Sequence, residues 1–192
     1  MIIKNYISHI KTIRLHRKFV RKLCFKLGLY KQGILHDLSK YSPTEISIAK
    51  YYSGTNSPHQ NCREELGYSP SWIHHYHNNK HHYQYWQDQD EMDNNIPLKM
   101  PFNYVLEMFC DRVAACKAYN KSRYQCEDAL KYYESKTKGH NVLHADTEIL
   151  LELLLQKLAK YNNEKSFCIW FKSNENILRF LYDSNTIYKI KN

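Results

Sequence analysis

With 192 residues and 43% apolar side chains, the chain has enough material to bury the core of one domain. Only five Gly and five Pro speak against a turn-rich β protein, and six cysteines with no C-x-x-C pair speak against a zinc ribbon or a disulfide framework. The charge is lopsided. Nine of the 28 Lys and Arg (Lys4, Lys11, Arg14, Arg17, Lys18, Arg21, Lys22, Lys26, Lys31) precede the first acid, Asp37, and the other 19 face 19 acids, so the whole excess of +9 lies in the first 36 residues.

The elements expected in chain order are helical. A first helix runs from about Ile7 to Leu27, with Ile13, Val20, Leu23, Cys24 and Leu27 on one apolar stripe. His16 falls on that stripe and should point inward, and Gly28 suits the position just past the helix end. A short helix follows in "GILHDLSKY". "SPTE" at Ser42–Glu45 reads as a capping box that opens a third helix reaching about Tyr52. A polar loop with Gly54, Pro58 and Gly67 comes next, and "SPSW" at Ser69–Trp72 opens the helix that carries "HHYHNNKHH", His74–His82. Residues 88–101 read as an acidic loop. Further helices are expected at about Phe102–Asn120, 123–136, 146–161 and 165–183, followed by a frayed tail, "YKIKN". No strand pair stands out. The expected fold class is all-α, a compact orthogonal bundle.

The basic first segment reads as a solvated helix face that could also attract phosphate-bearing ligands or nucleic acid. No RNP, zinc-finger or Gly-rich phosphate motif accompanies it, so nucleic acid is a weakly supported partner. The segment "MIIKNYISHIKTIRLHRK" lacks the apolar stretch of a signal peptide, and "ILLELLLQKLA" is too short and interrupted to span a bilayer. The expectation is a cytoplasmic protein with free thiols and no membrane partner.

The residues that carry chemistry start at His36-Asp37. Adjacent His and Asp beside Ile34 and Leu35 are costly to desolvate, and a divalent metal would supply the missing partner: a neutral nitrogen and an anionic oxygen suit Zn, Fe or Mn. With "HRKFV" (His16), "HDLSK" (His36, Asp37, Lys40) and "FCDRVAA" (Asp111) in that order, residues 10–120 resemble the HD-domain metal-dependent phosphohydrolases. The combination of HDLSK with a His-rich HH-N-x-HH-x-x-x-W segment is similar to a poorly characterised family within that superfamily.

The resemblance implies a single HD-like helical domain over 1–192, with its metal-site core at about 10–120 and a helical extension at about 121–192. It implies one or two divalent ions (Mn, Zn, Ni, Mg or Fe) on His16, His36, Asp37 and Asp111, with Asp37 bridging to a second ion. If residues 70–87 form one helix, His75, Asn79, His82 and Trp86 share one face, while His74, His77, Asn78, His81 and Tyr85 lie on another. A break at "HNN" would bring both parts to the site, as in HD proteins that use a lone His and then a His-His pair. His75 and His82 lead as second-ion ligands, with His81 behind them; His74 is a candidate for substrate binding and His77 for solvent. Lys40, on the next turn, could bind a substrate phosphate or protonate a leaving oxygen, and Arg17 could help orient the substrate. Glu107 could support the ligands or take a proton from water, and Glu45 reads first as a helix cap.

The function so implied is hydrolysis of a nucleotide or other small phosphate ester by metal-activated water, with Asp37, Lys40, His75 and His82 as the catalytic set. Two rivals remain open: an HD-type di-iron oxygenase, and a non-catalytic, metal-stabilised nucleotide or nucleic-acid binder. Residues 121–192 carry no recognisable chemistry; completing the core, covering the site and forming a homodimer contact stay open as their roles.

Overall fold

A computed structural model describes residues 2–53 and 57–191. The protein is all-α apart from one small hairpin. The helices are α1 (Ile2–Lys26), α2 (Tyr30–Leu35), α3 (Pro43–Ile46), α4 (Pro58–Leu66), α5 (Pro70–Asn78), α6 (Phe102–Asn120), α7 (Asp128–Lys136), α8 (Ala145–Tyr161) and α9 (Glu164–Asp183). Two antiparallel strands, β1 (Gln87–Gln89) and β2 (Asn95–Pro97), pair with Asp88 opposite Ile96.

The stripe on α1 is buried as its spacing requires: Ile13, Val20, Leu23, Cys24 and Leu27 are all inside, and His16 with them. The exposed side of α1 holds Lys11, Arg14, Lys18, Arg21 and Lys22, so the basic segment is a solvated face. The stripe packs on α6, the central helix, whose Val105, Leu106, Phe109, Cys110 and Val113 are fully buried. Beyond α6, Leu150, Leu151, Leu154 and Leu155 of α8 and Phe167 and Phe171 of α9 continue the same apolar cluster. All six cysteines are free.

The chain leaves α1 through Gly28 at φ +80, where an added Cβ would meet no atom within 4 Å. Only backbone strain then opposes a side chain there, about 1–2 kcal/mol for an L-residue in the left-handed region. Gly28→Ala should lower the melting temperature by roughly 2–8 °C at 2–4 °C per kcal/mol, readable by thermal denaturation.

Several expectations need correction. The "GILHDLSKY" segment is not one helix: α2 stops at Leu35, His36 is extended (φ −46, ψ 126), Asp37 is left-handed (φ 53, ψ 28), and a 3-10 turn resumes at Leu38–Tyr41. The third helix is an α turn at Pro43–Ile46 followed by 3-10 backbone at Ser47–Tyr51. The polar "loop" before Ser69 contains α4, which buries only Pro58 and Cys62 and so shows no apolar stripe; Gly54 lies outside the described residues. The helix at Ser69 ends at Asn78 rather than running to 87. The acidic loop holds the hairpin, turned by the Asp90 carboxylate accepting from the backbone N–H groups of Met92 and Asn94, each at 2.9 Å. The helix expected from 123 starts at Asp128. The tail is a 3-10 turn at Ile187–Lys191 with Ile187 buried; Asn192 lies outside the described residues.

Candidate metal centre

Four breaks or starts in helical structure bring the polar side chains together. The left-handed backbone at Asp37 ends the α2 path and turns the carboxylate back toward His36, its own neighbour. Ser42 caps α3, accepting from the Glu45 N–H at 3.3 Å. Ser69 caps α5 in the same way, accepting from the Trp72 N–H at 3.3 Å. At the far end of α5, Asn79 is extended, and its amide donates to the His75 carbonyl at 2.7 Å and to Ser39 Oγ at 2.6 Å. That turn is pinned a second time by the Trp86 indole, which donates to the Lys80 carbonyl at 2.7 Å. The chain therefore doubles back, and His75 and the His81-His82 pair face one another.

Two donor sets share Asp37. On one side, Asp37 Oδ2 lies 3.3 Å from His36 Nε2 and 3.7 Å from His16 Nε2, while Asp111 Oδ1 lies 2.9 Å from His16 Nε2 and 3.4 Å from His36 Nε2. On the other side, Asp37 Oδ1 lies 3.4 Å from His75 Nε2 and 3.5 Å from His81 Nε2, and His82 Nε2 lies 2.8 Å from His75 Nε2. Within each set the ligand atoms lie within 4.8 Å of one another. Donors about 2.0–2.1 Å from a tetrahedral ion stand roughly 3.3–3.5 Å apart, so both spacings suit a divalent cation.

The surrounding groups orient these rings. Glu107 Oε1 accepts from His36 Nδ1 at 2.9 Å and sits 3.3 Å from His81 Nδ1. Glu45 holds His75 Nδ1 at 2.7 Å through Oε2 and His74 Nδ1 at 2.8 Å through Oε1. A histidine that gives its Nδ1–H to a carboxylate presents a bare Nε2, the arrangement that carboxylates impose on metal-bound histidines. Two buried atoms at the junction, Asp37 Oδ1 and His81 Nε2, have no hydrogen-bond partner. Buried polar atoms are seldom left so.

Electrostatics point the same way. Four carboxylates converge here, and Lys40 is the one permanently charged cation among the contacts described, its Nζ 2.7 Å from Asp37 Oδ2. Burial opposes ionisation of Asp37, but His36 and Lys40 above all, with His75 beside them, outweigh it and hold the carboxyl well below its usual range. Asp111 is likewise held low against burial, by hydrogen bonds from His16 and His36. Burial, helped by His81 and His75, pushes His82 well below the ordinary histidine value. Burial also lowers His16 and His75, partly countered by Asp111 and Asp37 respectively. His36 is the exception: burial is outweighed by Asp37 and by the bonds its ring donates to Asp111 and Glu107, and it is raised well above that value. Ionised carboxylates beside mostly neutral imidazoles are what a divalent cation requires.

Two cavities meet at this cluster and share Trp72, His82, Asp111, Ala115, Tyr119 and Tyr132. The smaller, about 290 Å³, runs between α1 and α4 past His9, Lys40 and His59. The larger, about 790 Å³, opens toward α7. Trp72 packs against the cluster directly, with ring centroids 5.5 Å from His75 and 4.9 Å from His82.

The structure brings together His16, His36, Asp37, Asp111, His75, His81 and His82, with Lys40 beside them. His81 belongs as fully as His75 and His82, because the break after Asn78 removes the choice between helix faces. His74 is not brought in: its Nδ1 is held by Glu45 at the periphery. Arg17 does not line either cavity; its guanidinium donates to the carbonyls of His36 at 2.8 Å and Ile34 at 3.1 Å, tying down the end of α2. His77 stays exposed. Sequence reasoning missed Glu45 as a support for His75, and missed His9 and His59 as cavity residues. For Glu45 the capping pattern masked the signal, since one residue does both jobs.

His9 and His59 make acid stability testable. Burial, assisted by Lys40, lowers His9 to about 4 and His59 to about 3. Each folded-state value lies below the unfolded value near 6.5, so the unfolded chain binds the extra protons. Their contribution is complete above about pH 6.5 and is lost as pH falls toward 4 and 3. In chelator, the wild type should lose stability from pH 7 to pH 5, by at most about 2 kcal/mol per group. A His9→Gln, His59→Gln variant should show a flatter melting curve against pH over the same window.

An all-α protein with a buried histidine–carboxylate cluster that could hold a metal ion is the class defined so far. The chain belongs to a family of unknown function, DUF5662, whose profile matches residues 5–157. No curated protein and no solved structure matches it. Among the described residues, no helix is long and apolar enough to cross a membrane.

Proposed function

We propose that the cluster is a two-ion centre and that the protein is a metal-dependent phosphohydrolase acting on a nucleotide or another small phosphate ester. One observation carries this reading: the two oxygens of the buried Asp37 carboxylate face two separate donor sets, His16–His36–Asp111 and His75–His81–His82. The order His16, His36-Asp37, His75, His81-His82, Asp111 resembles the HD-domain phosphohydrolases with a lone histidine followed by a pair. Divalent ions held there would supply Lewis acidity, polarising a phosphoryl oxygen and acidifying water.

The chain's own residues support the chemistry around that centre. Lys40 lines the smaller cavity and can neutralise a phosphate oxygen or donate a proton to a departing one. His9 and His59, kept neutral by burial, line the same cavity and offer ring nitrogens to an anion without adding charge. Glu107 and Glu45 hold the rings in place.

The test is metal content by inductively coupled plasma mass spectrometry on untagged protein purified without added metal or chelator, followed by phosphate release from a panel of phosphate esters. About two equivalents of Mn, Zn, Ni or mixed ions with phosphate release support the reading. Iron with oxygen consumption and no phosphate release would replace it with a di-iron oxygenase. Ligand capture with no turnover would replace it with a binding protein.

A further inference from the structure

Arg112 is the residue the proposed centre leaves unexplained. It follows Asp111 on α6, so it points about 100° around the helix from that side chain, and it lines the larger cavity. Its Nη1 donates to Thr137 Oγ1 at 3.2 Å, while its Nε is buried with no partner. No carboxylate among the described residues pairs with it. Asp111 is taken up by His16 and His36. Asp128, in the same cavity wall, accepts from Asn120 at 2.7 Å and from the Gln125 N–H at 2.9 Å.

A guanidinium whose Nε is buried without a partner is costly, and burial lowers its proton affinity, partly countered by the Asp111 charge. Lys136, exposed on the same wall, also has no acidic partner among the described residues, while Asp128 is held by neutral donors alone, so the wall carries charges of both signs that are not paired with one another. A cavity of about 790 Å³ is more than a phosphoryl group needs and falls within the range of small-molecule sites.

We propose that the larger cavity receives the part of the substrate that is not cleaved, and that Arg112 binds a second oxyanion on it. Preferred ligands then carry two separated anionic groups, one at the Asp37 cluster and one, a carboxylate or a second phosphate, on the planar fork of the guanidinium. This rests on the phosphohydrolase reading for the first group only; the second depends on Arg112.

Inert phosphonates separate the two. Calorimetry on the full chain loaded with Mn²⁺ would compare 4-nitrobenzylphosphonate with 4-carboxybenzylphosphonate, which match in shape and differ in charge, and with the para bisphosphonate. The wild type should bind the carboxylate or the bisphosphonate at least tenfold more tightly than the nitro compound, and whichever gains more identifies the oxyanion. Arg112→Gln, at unchanged metal content, should erase the gap, and Arg112→Lys, which keeps the charge without the fork, should narrow it. Equal binding of all three compounds by the wild type, or a gap that survives both variants, overturns the proposal. Failure of the hydrolase reading looks different: the preference for a second anionic group stands while no phosphate ester is hydrolysed.

Discussion

An Asp37→Asn protein is expected to bind neither ion and to lose activity by more than about 100-fold, the upper figure for residues that merely support a metal. The substitution is a clean one. Asparagine tolerates the left-handed backbone that Asp37 adopts at φ 53, so the turn survives and only the charge goes. Because Oδ1 and Oδ2 face different donor sets, one substitution should empty both. The readout need not be activity. A ligand at about 1,000 times its Kd stabilises the folded state by about 4.1 kcal/mol. For a domain of this size that is a rise of roughly 8–16 °C in melting temperature on adding a saturating divalent ion. The wild type should show this rise and Asp37→Asn should not. Full metal occupancy in the variant would remove Asp37 from the site.

The second large effect belongs to Glu107. A single oxygen, Oε1, faces the Nδ1 of His36, in one donor set, and of His81, in the other. Glu107→Ala should therefore weaken both equivalents of metal together, each by about 10–100-fold. It should also destabilise the metal-free protein, because two buried ring N–H groups lose their acceptor at about 1–3 kcal/mol each. Glu45→Ala makes the contrast: it releases His75 alone within the cluster, since His74 is peripheral, and should weaken one equivalent. Titration calorimetry resolves the two cases. A single weakened equivalent in Glu107→Ala would show that the shared oxygen does not couple the sets.

Much of this arrangement could be read from the sequence wherever periodicity or capping chemistry was strong. The α1 stripe placed His16 inside, the bounds of α6 came out at Phe102–Asn120, and Ser42 and Ser69 were caps. The misses have local causes. After Gly33, which α2 accommodates, nothing in "GILHDLSKY" breaks a helix as Gly or Pro would; Asp37 adopts the left-handed conformation because a short polar side chain tolerates it, and the tertiary site keeps it there. The α4 segment hides because a helix burying two side chains carries almost no apolar signal. The turn at Asn79 was legible only as an alternative, because two asparagines permit a break without requiring one.

The histidine stretch shows the same limit most clearly. His75 and His82 could be chosen from helical spacing, yet the spacing was not what joins them. They meet because the helix stops, and the stop admits His81 as well. A pattern argument that assumes one continuous helix must choose between faces that the real backbone folds together.

Trp72 gives the centre a built-in optical signal. Of the protein's three tryptophans, Trp72 is the one packed against His75 and His82; Trp170 packs beside Phe167 and Trp86 beside Tyr104. Indole emission responds to charge and to paramagnetic ions within a few ångströms, so ion uptake on the His75 side should change the intrinsic fluorescence of the unlabelled protein. Occupation of the His16 side alone should leave it much less altered. Trp72→Phe would then silence the signal while leaving every proposed ligand in place, and the order in which the two sides fill becomes an observable in its own right.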